Sequence, residues 1–468
     1  MSLRDTSTVA RTWWLSIVTV LLALMSVGSA FPSFASAAFT TSFTVDQSTT
    51  TAAAHPNLTA TYNLPGSPDL KTLTTILPQG LHIAPGAVAS PCSLATAAAG
   101  NCAASTKVGT VTAAALGSLT ATGTLYLTSP PTPSDAAGLS IKLAVSGGRG
   151  NLIAQGSFDL NNIGVNQPNQ RIVFSNFPTA TKFGFPVHFT QLRLVLASSF
   201  VTNPSTCPSP ASSVTVNAVA TDGSIAQATA SYPTTGCDTL PFSAGFSQSL
   251  SNPNAGQATN ATYTVDVPAG SSSIGIFDVT LPPFLSLNLL AFGSAPNRCP
   301  AANLSGTALA PTFTASGCPA QAKIGTVSIK TPLAAAPLTG NIYVVSHSPL
   351  IGLGLSAKLG GVTFNQGVFL KAQYVDPSCD VSVEFCEQQF VLDLPGLPEA
   401  PISQLSIAFG TAPWAGSGGS TLSGQIFLVA QPGAPECVVA RGTHALVLPY
   451  VSWTRTVQFD RPTTIAGC

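Results

Sequence analysis

Lys107-Val108-Gly109-Thr110-Val111 recurs as Lys323-Ile324-Gly325-Thr326-Val327, 216 residues further along the chain. Each copy is followed by a second apolar run, Leu125-Tyr126-Leu127 and Ile342-Tyr343-Val344. β-Branched and aromatic residues that alternate with polar ones are typical of strands, and a glycine within such a run marks a close approach of two backbones. The recurrence therefore indicates one β-rich unit that is used twice.

Other signals recur around this motif in the same order. A strand stopped by proline is predicted at Thr75-Ile76-Leu77-Pro78 and again at Val279-Thr280-Leu281-Pro282. Proline ends these strands because it cannot donate a hydrogen bond to a neighbouring strand. Asp222-Gly223 separates two alternating runs, which predicts a hairpin with a tight turn. The order of these signals makes chance similarity a poor explanation.

The chain is predicted to be all-β, with two tandem antiparallel β-sandwich-like domains that disulfides stabilise. The many short strand candidates, 40 glycines and 38 prolines favour this class, and no segment after the N-terminus shows a sustained helical period. Closed barrels are the alternative architecture. We expect unit 1 at 38–237 and unit 2 at 238–468, with 39–55 as a Thr/Ser-rich lead-in and 240–251 as a short linker.

The N-terminus has the three parts of a secretory signal. Arg4 and Arg11 supply the positive region, 13–27 the apolar segment and Ala35-Ser36-Ala37 the small-residue cleavage site. We therefore predict a signal peptide at 1–37 and a secreted or cell-envelope location. A cut after Ala30 and an uncleaved anchor are the alternatives, and no later apolar run is long enough to span a membrane.

Charge is scarce and balanced. The chain has 17 basic and 17 acidic residues among 468, while its hydrophobic fraction of 45% is enough to build real cores. Such a surface has no field to attract a phosphate backbone, so nucleic acid is excluded as an expected partner. We expect an extracellular protein or glycan as the partner instead.

The ten cysteines are read as disulfides because the chain is predicted to be exported. Spacing favours five pairs, although it does not exclude other connectivities. The favoured pairs are Cys92 with Cys102, Cys207 with Cys237, Cys299 with Cys318, Cys379 with Cys386, and Cys437 with Cys468. Zinc ligands would be expected as Cys-x-x-Cys pairs or with nearby histidines, and neither pattern is present.

Taken together, the ordered motifs resemble the repeat modules of secreted actinobacterial proteins. The resemblance rests on the twin Lys-Val/Ile-Gly-Thr-Val motif, the preceding cysteine loop, Asn203-Pro204-Ser205-Thr206-Cys207 and the closing Gly236-Cys237 and Gly467-Cys468. It covers most of the chain after the signal. It implies an exported β-rich repeat fold and carries no catalytic residue across.

One acidic segment stands out in unit 2. Four carboxylates lie within or beside the predicted Cys379–Cys386 loop: Asp376, Asp380, Glu384 and Glu387. We interpret this segment as a solvated, disulfide-closed loop. One alternative is a weak calcium site, because calcium favours several oxygen ligands held in a loop, although the spacing is not that of an EF-hand. The other is a contact with a partner. No other cofactor is predicted.

Trp414 lies in a Gly/Ser-rich stretch and is a candidate ligand contact, since an exposed indole can stack on a sugar or on an apolar partner surface. The alternative is a ring packed at the domain edge. The five histidines stand alone in the sequence and are interpreted as packed or solvated rather than as ligands or bases. They are His55, His82, His188, His347 and His444.

No nucleophile elbow, zinc-protease motif or phosphate loop is present in the sequence. We therefore expect a non-enzymatic protein with a structural, adhesive or binding role, and no catalytic residue is assigned. Two alternatives stay open, a glycan-binding module and a glycan-active hydrolase with two carboxylates from different strands.

Overall fold

The computed structural model describes residues 39–463 with gaps. Within that range it omits 160–162, 165–166, 169, 182, 252–257, 275, 281–284, 288–296, 308–309, 347–350, 360–361, 375–387, 395–400, 411–413, 416–420, 423–427, 431–439 and 448–455. The predicted signal segment, 1–37, lies outside the described residues. Both large sheets belong to one compact unit that begins at Thr40.

Strands are the main regular structure of the described chain, and they form two successive repeats. Repeat 1 contains β1 (Ser42–Gln47), β2 (Leu58–Asn63), β3 (Leu70–Ile76), β4 (His82–Ile83), β5 (Lys107–Ala115), β6 (Leu119–Thr128), β7 (Asp135–Val145), β8 (Asn151–Asp159), β9 (Ile163–Gly164), β10 (Gln167–Pro168), β11 (Arg171–Ser175), β12 (Phe189–Leu196), β13 (Val201–Thr202), β14 (Ser212–Ala220) and β15 (Ile225–Tyr232). Repeat 2 contains β16 (Gly245–Leu250), β17 (Ala258–Thr259), β18 (Ala261–Asp266), β19 (Ile276–Thr280), β20 (Leu285–Leu287), β21 (Leu304–Thr307), β22 (Ala310–Phe313), β23 (Lys323–Lys330), β24 (Leu338–Ser346), β25 (Ile351–Leu359), β26 (Val362–Tyr374), β27 (Gln388–Leu394), β28 (Gln404–Phe409), β29 (Trp414–Ala415), β30 (Thr421–Leu422), β31 (Leu428–Ala430), β32 (Ala440–Val447) and β33 (Thr456–Thr463).

Helix is limited to short turns in the described residues. One α-helix, α1 (Leu94–Ala98), lies inside the first cysteine loop, and its N-cap Ser93 accepts a hydrogen bond from the Thr96 amide. Single 3-10 turns occupy Pro85–Ala87, Ala104–Thr106, Leu116–Ser118, Ser146–Gly148, Ser198–Phe200, Ala301–Asn303 and Ala320–Ala322. The predicted all-β class is confirmed.

Each repeat is built on one antiparallel sheet of 11 strands, and the two sheets have the same topology. The order is β1-β2-β12-β5-β6-β7-β8-β11-β3-β14-β15 in repeat 1 and β16-β18-β28-β23-β24-β25-β26-β27-β19-β32-β33 in repeat 2. Strand by strand, β1 corresponds to β16, β2 to β18, β5 to β23 and β12 to β28. The twin Lys-x-Gly-Thr-Val motif therefore begins the same strand in both repeats.

The correspondence extends to individual hydrogen bonds. Cys92 donates its amide to Leu127 O over 3.0 Å, and Cys299 does the same to Val344 O over 2.8 Å. The Leu64 amide donates to Thr190 O, as the Val267 amide donates to Ser403 O, over 2.9 Å in each case. Both motif strands also carry a register shift at the same place, between Lys107 and Gly109 and between Lys323 and Gly325. The two large sheets thus share details of pairing at corresponding positions, whereas the loops differ: the first cysteine loop contains α1 and its counterpart contains the β21–β22 hairpin.

Each sheet curls so that its inner face packs on itself as in a sandwich. In repeat 1 the phenol of Tyr62 on β2 hydrogen-bonds to Thr75 Oγ1 on β3 over 2.9 Å, although these strands are not neighbours in the sheet. Apolar side chains from opposite parts of the sheet fill the interior, and the largest of them include Phe158 and Phe174, both about 1% exposed or less. Burial of these alternating residues is what closes the sheet.

Two segments differ from the prediction. Residues 42–47, expected as part of an irregular lead-in, form β1, and residues 245–250, expected within a linker, form β16. Both are sheet-edge strands in which one aromatic residue, Phe43 or Phe246, is buried, and most of the other positions are polar or small. Strands are predicted from alternating apolar and polar residues, and an edge strand shows this alternation weakly. The sequence pattern therefore does not predict β1 and β16.

Three disulfides occur among the described residues. They join Cys92 to Cys102, Cys207 to Cys237 and Cys299 to Cys318, which are three of the five pairs that the spacing favours. Cys379, Cys386, Cys437 and Cys468 lie outside the described residues. The bonded pairs close loops at one end of each sheet.

We call the two ends of each repeat its head and its tail. The head is the end at which β2 finishes and β12 starts, where Asn63 pairs with Gln191; in repeat 2 the matching pair is Asp266 and Gln404. Because the strands of the sheet all pair antiparallel, the β5–β6, β7–β8 and β14–β15 turns also lie at the head of repeat 1. The cysteine loops lie at the tails.

Buried tyrosines predict a loss of stability in alkali. Burial raises the pKa of Tyr62 from 10.0 to about 12, against the opposing hydrogen bond from Thr75, and burial also raises the pKa of Tyr232 and Tyr263. The unfolded phenols ionise first, so the stabilisation is complete below about pH 10 and is lost as the pH rises through about 12. Urea unfolding between pH 8 and 12 should show this fall, with a shallower slope in Tyr62→Phe. Parallel pH curves for the two proteins would contradict it.

Candidate functional site in the cleft between the repeats

A cleft of about 600 Å³ lies between the tail of repeat 1 and the head of repeat 2. This volume is in the range of small-molecule sites. Repeat 1 contributes Ala53, His55, Gly80, His82, Gly86, Thr202, Asn203 and Ser205, and repeat 2 contributes 267–273, Lys330–Thr331, Pro332, 334–337 and 401–403. Each wall is therefore assembled from several loops that are distant in sequence.

The two repeats contact each other directly beside the cleft. The Gly86 amide donates to Pro332 O over 2.9 Å, and the Ser273 amide donates to Ser205 Oγ over 3.3 Å. A Cβ atom at Gly86 would lie 2.5 Å from Ala334 O, so only glycine allows this approach. The cleft is thus bounded by a packed interface that fixes one wall against the other.

Asn203 holds the repeat 1 wall in place. Its side-chain amide donates to Thr49 O and Thr51 O over 2.9 Å each, and its Oδ1 accepts a hydrogen bond from the Tyr232 phenol over 2.6 Å. The Asn203 side chain is 2% exposed, so these bonds are shielded from water. The Asn203-Pro204-Ser205-Thr206-Cys207 motif therefore has a structural role, since its asparagine ties the start and the end of repeat 1 together.

The hydrogen bonds around His82 define its protonation. Gln170 Oε1 accepts from the Ile83 amide over 3.0 Å, which places Gln170 Nε2 3.0 Å from His82 Nδ1. Because that amide nitrogen can only donate, His82 Nδ1 is the acceptor and the neutral ring carries its proton on Nε2. His82 is buried and lines the cleft.

His55 has the opposite arrangement. Its Nδ1 lies 3.0 Å from Val201 O and 3.1 Å from Thr202 Oγ1. A carbonyl oxygen can only accept, so Nδ1 of His55 carries a proton and donates it. Nδ1 thus accepts a hydrogen bond in His82 and donates one in His55.

The charge that the described lining residues bring to the cleft is positive. Among the described lining residues no carboxylate is present, and Lys330 supplies the ammonium group. In the described part of the chain Lys330 forms no ion pair. Ser272 also lines the cleft, is 1% exposed, and its hydroxyl has no hydrogen-bond partner among the described residues. A buried, unpaired hydroxyl is costly, which makes it a ready contact for a bound polar molecule.

The structure does not place the site residues predicted from the sequence in this cleft. Asp376, Asp380, Glu384 and Glu387 lie outside the described residues; the strands on either side meet where Tyr374 pairs with Gln388. Trp414 begins the short strand β29, which pairs with β30. No cluster of metal-binding side chains is found in the part of the chain that is described. The calcium site and the Trp414 contact therefore stay predictions.

The histidines were interpreted separately from one another, and the structure brings two of them together. His55 and His82 share the cleft, whereas His188 lies at the head of repeat 1 with its Nδ1 2.6 Å from Asp69 Oδ1. Lys330 and Ser272 were not singled out at all. No local pattern could have found them, because they become neighbours only when one repeat packs on the other.

Comparisons with known proteins add little. Neither a family model nor a curated protein matches the chain. The type II cohesin dyad from the adaptor ScaA scaffoldin of Acetivibrio cellulolyticus aligns over 89% of this chain and 92% of its own, with 8% identity and a TM-score of 0.17. A tetra-tandem repeat in the extending region of a large adhesion protein aligns over 91% and 100%, with 10% identity and a TM-score of 0.11. Similarity this low carries no argument about fold or function.

Proposed function

We propose that this chain is a secreted or cell-envelope-associated, non-enzymatic β-repeat protein with a structural or binding role. The observation that carries the proposal is the packed head-to-tail contact between two repeats of identical topology. Hydrogen bonds and the close approach at Gly86 restrict movement of one repeat against the other. Repeats that stack in this way suit a spacer or a platform that presents loops.

Export is supported by the disulfides, which are compatible with an oxidising compartment. No helix of the described residues is long and apolar enough to cross a membrane. The signal at 1–37 and the resemblance to secreted actinobacterial modules belong to the same proposal. The partner is an extracellular protein or glycan.

Fractionation of the producing cells tests this role. We expect the protein in the medium or the wall fraction, with its cysteines inert to alkylation until a reductant is added. A pull-down with the purified chain from envelope extract then identifies what it binds. Recovery in the cytoplasm with free thiols would refute the proposal.

A second candidate function is the binding of a small carboxylate in the cleft, which the Lys330 and Ser272 arrangement specifically favours. A carboxylate could accept hydrogen bonds from the Lys330 ammonium and from the Ser272 hydroxyl. None of the described lining residues is Phe, Tyr or Trp, so the cleft offers no platform for stacking a sugar. The glycan-binding and glycan-active alternatives stay predictions.

Calorimetry with succinate as the probe tests this candidate. Lys330→Gln should weaken binding by about 10- to 150-fold, since a charge-assisted hydrogen bond contributes about 1.5 to 3 kcal/mol. Lys358→Gln is the matched control, because Lys358 is exposed in the same repeat and does not line the cleft. An equal effect of the two substitutions, or no heat at millimolar succinate, would contradict a carboxylate site.

A further inference from the structure

The large apolar side chains that are exposed in the described part of the chain lie at one end of repeat 1. They are Leu116, Phe183, Phe185 and Ile225, with 46%, 67%, 46% and 70% exposure. Leu116 follows β5, Ile225 opens β15 after the Asp222-Gly223 turn, and the two phenylalanines belong to the segment that leads into β12. Each of these places is at the head. Stacked repeats normally end on a polar face, so an apolar end face indicates a binding surface.

Hydrogen bonds join the loops of this head to one another. The Leu116 amide donates to His188 O over 2.9 Å, and the Thr221 amide donates to Asp69 O over 2.8 Å. His188 Nδ1 lies 2.6 Å from Asp69 Oδ1, which links the segment before β12 to the loop after β2. The β5–β6 turn, the β14–β15 turn and the segment before β12 are therefore parts of one connected surface.

The turn that carries Phe183 and Phe185 is fixed by its neighbours. The Thr181 amide donates to Phe185 O over 2.8 Å. Phe183 lies against the β7–β8 turn, since a Cβ atom at Gly150 would be 2.8 Å from its ring. Arg149 of the same turn places its guanidinium 5.9 Å from the Phe185 ring centre. Exposed rings beside a cation suit the boundary of a lipid bilayer, where apolar groups enter the acyl region and a cation meets phosphate.

The polypeptide enters repeat 1 at this same end. Ser42, the first residue of β1, pairs with Asn63 at the head, and the Thr41 hydroxyl donates to Asn63 O over 2.8 Å. Residues 28–40 connect Thr41 to the apolar segment 13–27, and a connection of this length spans at most about 45 Å. During the proposed export the segment 13–27 is held in the membrane, so the head is the end of repeat 1 that is tethered beside the bilayer.

We propose that the head of repeat 1 binds the surface of a phospholipid bilayer. The Arg149 guanidinium contacts a lipid phosphate, and the four exposed apolar side chains enter the boundary between headgroups and acyl chains. Two independent observations point to this end of the molecule, the apolar side chains and the entry of the chain. The inference rests on the export proposed above and adds the surface to which the exported chain attaches.

Flotation with phosphatidylcholine vesicles tests the contact. The protein used begins at residue 38, so that 13–27 cannot itself enter the bilayer, and the described unit is compact from Thr40 onward. We expect this parent protein to float with the vesicles. Phe183→Ser/Phe185→Ser should lower the partition coefficient at least about tenfold, because two apolar rings no longer leave water. Ile225→Ser removes a single side chain and should lower the coefficient by a smaller factor.

Phe183→Leu/Phe185→Leu is the matched control. Leucine keeps an apolar side chain at both positions, so the partition coefficient should stay within about threefold of that of the parent. Circular dichroism and the thermal midpoint of each variant should equal those of the parent, because the replaced side chains are exposed. If the double serine variant does not fold, Ile225→Ser alone decides the test.

A parent protein that stays below the floating vesicles would overturn the bilayer contact, and so would serine variants that float as well as the parent. An equal loss in the leucine and serine variants would also overturn it, since a stacking site needs aromatic rings rather than apolar area. None of these outcomes affects the proposed export or role. Recovery of the protein in the cytoplasm with free thiols would refute that role, whatever the vesicles show.

Discussion

Gly109→Val is expected to lower the free energy of unfolding by at least about 3 kcal/mol. A Cβ atom at Gly109 would lie 2.3 Å from Val195 O on the neighbouring strand β12, far inside contact distance. Valine is a favoured strand residue, so the loss cannot come from strand propensity. The strand must shift or the pairing must break. Urea unfolding monitored by circular dichroism measures the change.

The same substitution can be made in the second copy of the motif, at Gly325. At Gly325 the added atom would lie 2.2 Å from Ala408 O on β28, so Gly325→Val should have an effect of similar size. Gly245→Ala is the control, because its nearest neighbour would be 3.8 Å away, and a change within about 0.5 kcal/mol is expected. A tolerated valine at both motif positions would show that the two strands are not this close.

Loss of the Cys207–Cys237 disulfide is expected to cost about 4 kcal/mol. The bond closes a loop with a sequence separation of 30, whereas Cys92–Cys102 closes one of 10, for which the same chain-entropy relation gives about 3 kcal/mol. Cys237 is 2% exposed and packs with Ala52 and Leu240, so its replacement also disturbs a small apolar cluster. Cys207→Ala/Cys237→Ala should therefore be the less stable of the two double variants.

Thermal unfolding in the absence of reductant ranks the two variants against the parent. The Cys207–Cys237 bond lies next to Ser205 and Asn203, which form part of the cleft wall. Its loss should also loosen that wall, visible as faster amide exchange near Thr202 while the head of repeat 1 is unaffected. A larger loss from the shorter loop would contradict the ranking, because strain or native packing would then outweigh chain entropy.

Much of the fold could be predicted because its signals are local. The alternation around Lys107 and Lys323, the Asp222-Gly223 turn and the cysteine spacing each depend on a few adjacent residues. The motif glycine was also interpreted correctly as a point of close approach, since only hydrogen fits beside Val195 O. The edge strands β1 and β16 were not predicted because each buries a single aromatic residue near its start and most of its other residues are polar or small.

The cleft could not be predicted in the same way. His55, Ser272 and Ser403 lie on different loops, and nothing in the neighbourhood of any one of them points to the others. The acidic segment and Trp414 attracted attention because they are unusual in composition, whereas the cleft is built from common residues in an uncommon arrangement. An unusual local composition and a functional location are separate properties of a chain.

The amino-acid sequence by itself determined that this protein is a β-rich unit used twice and held by disulfides. These properties follow from the period of side chains along a strand, the backbone limits of proline and glycine, and the spacing of cysteines. Only the tertiary structure decided that the tail of repeat 1 meets the head of repeat 2. It also decided that a cleft lined by Lys330 and by no described carboxylate opens between them, and that the head of repeat 1 exposes apolar side chains. Sheet order brings distant loops to one end, and that order depends on pairing between strands far apart in the chain.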